Sequence, residues 1–515
     1  MKRQRFISKG SLSRLFQAAA EAWRRQDYDE TIALLERASR SDPANVSVLL
    51  DLGRAYGLRY DYVSADRCLG KAVSLAPRKL EVLTEAGRRC QAFGHYEMAS
   101  RFFERAAKDP GATADVLVTL AELYERGHRN SEAAALVERA LVRQPKHPWS
   151  LLAQARLTRL AGRLEEAESR TRQLLEQSGC DPQTRVRAWY ELGGILDRQG
   201  RFDEAMSAFL EAKALQRPAA ARAATILQSI QAKVIEQEQT ISAAVMERWA
   251  ASADELAPAR RFVVLCGHPR SGTTLLEQVL DAHPEIVCAE ETHILHDEAY
   301  LPLSRGFPET TSVLQVLDAA TPGQVRQSRE NYFRFTELFI GITIGPKLLI
   351  DKNPALNVLI PAMVRLFPEA RFLVALRDPR DVCLSCFMQA LPLNPVSSAY
   401  LSLEGTVLQY ASVMGFWRAM LPRMRNASCE VRYEELVEDL ESASRRVLDF
   451  LGIEWNDRVL RFDEHARNKP VRSPSYADVT KPIFKSAIGR WRNYEKYLDP
   501  WMVKLSEFIK VYGYD

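Results

Sequence analysis

The stretch CGHPRSGTTLLEQ, Cys266 to Gln278, sets two glycines, one arginine and three hydroxyls within eight residues, Gly267 to Thr274. It follows RFVVL, a β-branched run from Arg261 to Leu265 that reads as a buried strand. Leu275, Leu276, Val279 and Leu280 behind it have helical spacing. A loop between a strand and a helix start aims successive backbone N–H groups at one spot, and the helix dipole adds partial positive charge there. An anion is the ligand such a loop suits. A nucleotide-kinase loop, GxxxxGK[ST], would carry lysine at 273 and a magnesium-binding hydroxyl at 274. Here the two positions are Thr273 and Thr274, and the cation stands inside the loop at Arg270. The competing reading is an ordinary tight turn.

Charged residues follow three further strand-like runs. Glu290, Glu291 and His293 come after Ile286 and Val287, Asp351 and Lys352 close KLLIDK, and Arg377 ends RFLVALR, with Ser385 one or two helical turns beyond. Glu291 is a candidate general base, suited by a pKa raised through partial burial. Alternatively it caps a helix start beside Thr292, or His293 takes the base's place. Glu290 reads as structural. Asp351 is expected to orient Lys352 or cap a turn, and Arg377 to bind phosphate or join a surface ion pair.

From about residue 258 strands alternate with helices, which predicts an α/β domain around a largely parallel sheet, with ligands at the carboxyl ends of its strands. The first half differs. Thr31, Ala65, Ala99, Ala133 and Ala167 lie 34 residues apart, and Ala205 follows after 38. Twelve residues before each stands a small residue (Ala19, Gly53, Gly87, Ala121, Ala155, Gly193), and four after it a larger one in most copies, such as Leu69, Phe103 and Phe209. Close helix crossings need small residues at the contact, and Pro43, Pro77, Pro110, Pro145, Pro182 and Pro218 are expected to end the units. The pattern resembles six tetratricopeptide repeats over 11–217. That resemblance implies an α-helical solenoid whose concave face takes protein or peptide segments, with self-association as the alternative. Residues 218–250 read as one or two amphipathic helices capping the array, and 218–257 as cap and linker before an α/β domain at 258–515.

A chain of 515 residues exceeds one core, and a net charge of +4 is too mild to imply a nucleic-acid or membrane-surface binder. No window reaches 18 consecutive apolar residues, and the basic start MKRQRFISKG leads into an amphipathic helix, so a cytoplasmic protein is expected. Eight scattered cysteines suit reduced thiols. The one CxxC, Cys383 to Cys386, lacks a second ligand pair for zinc, and no metal site is expected.

The second half resembles the sulfotransferases that use 3′-phosphoadenosine 5′-phosphosulfate, and among them the tyrosylprotein enzymes. PRSGTTLLEQVLDAHPEIVCAEET is similar to their 5′-phosphosulfate loop and catalytic glutamate segment, and RFLVALRDPRDVCLSCF to their 3′-phosphate motif. VRYEELV and SYADVTKPIFKSAIGRW resemble two later segments. The resemblance implies a P-loop-like fold and donor binding by Arg270, Ser271, Gly272, Thr273, Thr274, Arg377, Ser385, Tyr433 at the adenine and Arg490 where the family has a lysine. It also implies catalysis by Glu291, Arg270, Lys352 and Ser475, no magnesium, and 3′-phosphoadenosine 5′-phosphate as product. His268, His293 and the loop LPLNPVSSAYLS depart from the family pattern, which leaves the acceptor open. A protein tyrosine, a small-molecule, lipid or sugar hydroxyl, and outside this class a non-catalytic scaffold or divergent kinase, are the readings to separate.

Overall fold

The computed structural model describes residues 9–76, 78–251, 253–256, 258–308, 310–467, 483 and 485–515. Among them, six helix pairs run from Lys9–Arg24 with Tyr28–Ser41 to Pro182–Arg198 with Phe202–Gln216. Their crossings follow the sequence pattern. A Cβ on Gly87 would come within 2.6 Å of the Phe103 ring, and one on Gly193 within 2.5 Å of Phe209. The small residue therefore receives the large one from the second helix of its own pair. Turns are capped locally: Asp27, Asp61 and Asp181 each accept a backbone N–H three residues on. Pro182 opens a helix instead of ending one, because its missing N–H costs nothing in the first turn. Pro77 lies outside the described residues.

Two compact units divide the chain, Met1–Leu157 and Thr158–Asp515, a boundary that falls inside the helix Pro148–Leu160. The expected boundary at 217 does not match this division. One apolar cluster explains why: Tyr190, Leu192, Leu196 and Phe209 from the last helix pair pack with Leu384, Phe387, Trp491 and Tyr494. The first unit has its own core, running through Leu69, Phe103, Leu117 and Val137. The segment expected as a cap is also differently placed. Helix Ala221–Thr240 packs against Pro395–Ser398 and Leu403–Met420, and Gln231 bonds Gln409. Helix Ala243–Ala251 lies on Ile360–Leu366, with Arg248 and Trp249 both bound to Asp318. Both helices therefore cover the α/β layer.

That layer is built on five parallel strands, β1 (Phe262–Gly267), β2 (Ile286–Ala289), β3 (Leu348–Lys352), β4 (Arg371–Leu376) and β5 (Ser428–Arg432), in the order β2-β3-β1-β4-β5. β1 to β4 are buried almost throughout, as parallel strands covered on both faces must be. One face packs Val263, Leu265, Leu276 and Ile350 into an aliphatic cluster. The other meets an aromatic group of Phe262, Tyr332, Phe333 and Phe367. From β1 the chain first builds β2 and β3 on one side, then crosses to β4 on the other. The carboxyl ends of β1 and β4 thus flank the point where the winding reverses, the usual crevice for a ligand.

No helix among the described residues is long and apolar enough to cross a membrane. One buried charge stands out. Lys213, on Phe202–Gln216, is 2% exposed, with its ammonium 5.0 Å from the Tyr190 ring centre and 4.9 Å from that of Phe387. Burial pushes it down to about 7. The folded state then binds fewer protons than the unfolded one from about pH 7 up to the ordinary lysine range. The cost of holding the charge is therefore full below pH 7 and fades as pH rises. Lys213→Met should raise the melting temperature, with a larger gain at pH 6 than at pH 9; a gain that grows with pH would contradict this placement.

Candidate functional site

The loop after β1 is held in a shape that ordinary side chains avoid. Gly267 has φ +133°, Arg270 +73° and Gly272 +97°. At Gly267 a Cβ would lie 2.5 Å from the Ala375 carbonyl of β4, and at Gly272 one would lie 2.7 Å from the Tyr433 ring. Both glycines therefore allow close approach as well as turning. Arg270 has no such freedom, and a left-handed non-glycine residue costs of order 1–3 kcal/mol, so surrounding contacts must hold it. They do. Its Nε donates to Ser385 Oγ at 3.1 Å, and its carbonyl accepts from Arg377 Nη1 at 3.2 Å. Ser271 ties the loop to itself, through its N–H at 3.1 Å and its hydroxyl at 2.6 Å, both on the His268 carbonyl.

Beyond the loop, helix Thr273–Asp281 begins without a side-chain cap. Thr273 and Thr274, its first two residues, are buried. Arg377 is 8% exposed, so it is no surface ion pair; its Nη2 donates to the Ala487 carbonyl at 2.5 Å and its guanidinium lies 4.9 Å from the Tyr433 ring centre. Its Nε is buried and has no acceptor. Tyr433, expected at an adenine, supports Gly272 and Arg377 from the start of Tyr433–Glu438. An uncapped helix start and a buried guanidinium N–H without acceptor are both suited to anionic groups.

On the other side of β1 stands a second cluster. Register pairs Leu265 with Lys352 and Ala289 with Asp351, so the ends of β1, β2 and β3 lie side by side. Lys352 is fully buried, with Nζ 2.8 Å from Glu291 Oε1 and 3.1 Å from Glu277 Oε2, itself fully buried. Burial alone would lower this ammonium, but the attraction of Glu277 and Glu291 outweighs it and holds the pKa above the ordinary lysine value. Lys352 is therefore charged.

Three expectations need correction. Glu291 keeps 38% of its side chain exposed, at the rim of the cluster, and it does not cap, since the adjacent Thr292 hydroxyl accepts the Ile294 N–H. Asp351 turns to the opposite face from Lys352, takes the Tyr332 hydroxyl at 2.7 Å, and is pushed up to about 6 by burial. Arg490 reaches away to Asp197 at 2.6 Å. Ser475 lies outside the described residues. Glu290 is buried and His293 exposed. His268 is buried against Tyr410 and pushed down to about 4 by burial, which keeps it neutral. Cys383 and Cys386 are both buried thiols on Pro379–Met388, and no metal-holding group of three His, Cys, Asp or Glu occurs among the described residues. Sequence reasoning missed Glu277. Its only signal is a carboxylate on the buried face of a short apolar helix.

Residues 262–457 match the sulfotransferase family model and residues 152–221 a tetratricopeptide repeat model. The chain is 25% identical over 346 residues to an uncharacterised protein of Aquifex aeolicus (strain VF5), covering 65% of this chain and 43% of that one. It is 29% identical over 244 residues to protein-tyrosine sulfotransferase A of Caenorhabditis elegans, covering 45% and 60%. With the protein-tyrosine sulfotransferase of Drosophila melanogaster it shares 28% over 272 residues, covering 49% and 52%. The chain thus spans about half the length of the curated relatives it matches.

The cradle's dependence on Gly272 is open to measurement. Gly272→Ala meets both strain and the Tyr433 ring, whereas Gly341→Ala, at φ +74° with nothing within 4 Å, meets strain alone. Urea unfolding should show the first losing more stability, by about 1 kcal/mol or more beyond the second. Equal losses would mean that the contact with Tyr433 carries no weight.

Proposed function

This chain carries a domain of the sulfotransferase family C-terminal to tetratricopeptide repeats, and from that premise we propose that it transfers a sulfuryl group from 3′-phosphoadenosine 5′-phosphosulfate to an acceptor hydroxyl. One observation carries the proposal: Arg270 is bonded at once to Ser385 and to Arg377, so the loop suited to the 5′ end and the pair suited to the 3′ end form one cradle. A donor phosphorylated at both ends of its adenosine meets both.

In this reading backbone N–H groups and hydroxyls of Ser271 to Thr274 hold the 5′-phosphate, and Arg377 with Ser385 holds the 3′-phosphate. Arg270 and Lys352 stabilise the sulfonate and bridging oxygens as they gain charge, an electrostatic task shared with phosphoryl transfer. The acceptor oxygen forms its bond to sulfur while the bond from sulfur to the bridging oxygen breaks, and 3′-phosphoadenosine 5′-phosphate leaves with that oxygen. Glu291 takes the acceptor proton. Its exposed position supports that role, and in this reading its contact with Lys352 gives way to the acceptor hydroxyl. Ser475 is proposed to assist at the bridging oxygen.

The acceptor we favour is a tyrosine hydroxyl in a protein or peptide brought by the repeats. The curated relatives named for protein tyrosine support it, and the repeats suit a polypeptide ligand. Transfer of labelled sulfate from the donor into separate peptide, glycan and lipid pools tests this choice. Label in peptide tyrosine is expected; label in the other pools alone would end it. Glu291→Gln should keep donor affinity and lose turnover by about a hundredfold or more, the usual share of a general base. Unchanged turnover would remove Glu291 from that role. Arg377→Ala should bind adenosine 3′,5′-bisphosphate no better than adenosine 5′-phosphate in titration calorimetry. A parent protein that already binds the two equally would overturn the donor assignment.

A further inference from the structure

Residues 487–494 touch the cradle at one end and the last helix pair at the other. The Ala487 carbonyl holds Arg377 Nη2. Two residues on, the buried Asp381 accepts the Gly489 N–H at 2.7 Å on Oδ2 and the Trp491 N–H at 2.8 Å on Oδ1. Asp381 lies four residues before Ser385 on the same helix, Pro379–Met388. The other end is clamped in the same fashion. Asp197, near the end of Pro182–Arg198, takes Arg490 Nη2 at 2.6 Å on Oδ2 and the Tyr494 hydroxyl at 2.7 Å on Oδ1. Each clamp uses both oxygens of one carboxylate, so neither can be satisfied without fixing the segment's orientation as well as its distance. Asp197 has only 12% of its side chain exposed, which strengthens its pair with Arg490 over that of a surface bridge. Trp491 and Tyr494 are buried in the apolar cluster shared with Tyr190, Leu192 and Leu196.

We propose that Asp197, contributed by the last helix pair of the repeats, is a positioning residue of the donor site: by fixing Arg490 and Tyr494 it sets the Ala487 carbonyl, and through that the Arg377 guanidinium that faces the 3′-phosphate. The proposal rests on the donor reading above. It makes the end of the repeat array part of the nucleotide site, and it accounts for the compact unit that begins at Thr158 instead of near 258. Arg490 then serves the nucleotide indirectly, through its hold on Asp197.

Asp203 supplies the comparison. It binds Lys496 at 2.8 Å and the Tyr497 hydroxyl at 2.9 Å, a contact with the same neighbouring segment but at the exposed surface and beyond the residues that reach Arg377. Calorimetric titration of the full chain with adenosine 3′,5′-bisphosphate and with adenosine 5′-phosphate reads the effect. Asp197→Ala should weaken the bisphosphate by about tenfold, the lower end of what removing a group behind a ligating residue costs at metal sites, and leave adenosine 5′-phosphate within about twofold. Asp197→Asn keeps an acceptor for Tyr494 while losing the charge facing Arg490, so it should fall between parent and Asp197→Ala; this gentler variant carries the test if the alanine form does not fold. Asp203→Ala should match the parent on both ligands. Equal losses on both nucleotides, or a parent-like preference in both Asp197 variants, would overturn the proposal. A parent without preference for the bisphosphate would instead sink the donor reading on which it stands.

Discussion

Arg270 in the left-handed region is the constraint on which the proposed donor cradle depends. Its backbone conformation is unfavourable by itself, and it persists because its carbonyl and its side chain are each tied to a different part of the same edge. Those ties require β1 beside β4, a glycine at 267 thin enough to meet the Ala375 carbonyl, and the helix after β4 directed so that Ser385 faces back toward the loop. The winding order of the sheet supplies the first, and the sequence supplies the glycine. Where a kinase loop spends a lysine and a metal ligand, this loop spends backbone strain to place an arginine within the turn.

Charge is balanced differently on the two sides of β1. Toward β4, Arg270 is tied to Ser385, and Arg377 has Asp381 3.9 Å away, a carboxylate mainly engaged by backbone N–H groups. In the proposed reading a dianionic phosphate binds there. Toward β3, the single ammonium of Lys352 has two carboxylates, one fully buried and one at the rim. If the rim carboxylate turns to an acceptor, as proposed, Glu277 remains beside Lys352 as its counter-ion.

The strand ends, the loop and the repeat period were legible in the sequence because each is a local signal. An apolar run followed by a charge marks the edge of a parallel sheet, and small residues 34 apart mark helix crossings, such as Gly87 against Phe103. What was not legible depends on pairings across long sequence separations. Arg490 and Asp197 are 293 residues apart, and nothing near either announces the other. The helices of 221–251 carry an apolar face, but a sequence does not say which neighbour covers it. Asp351 and Lys352 are adjacent, so they were expected to cooperate; strand alternation sends them to opposite faces. Glu291 was read from its register after β2, but its ion pair with Lys352, 61 residues further on, carries no local signal.

The central claim is that one cradle holds a nucleotide by phosphates at both ends of its adenosine. A crystal structure of the protein with adenosine 3′,5′-bisphosphate tests it most directly. The account predicts the 5′-phosphate on the backbone of Ser271 to Thr274 and the 3′-phosphate between Arg377 and Ser385. Nucleotide density at another place, or a 3′-phosphate directed into solvent with Arg377 still on Ala487 alone, would contradict it.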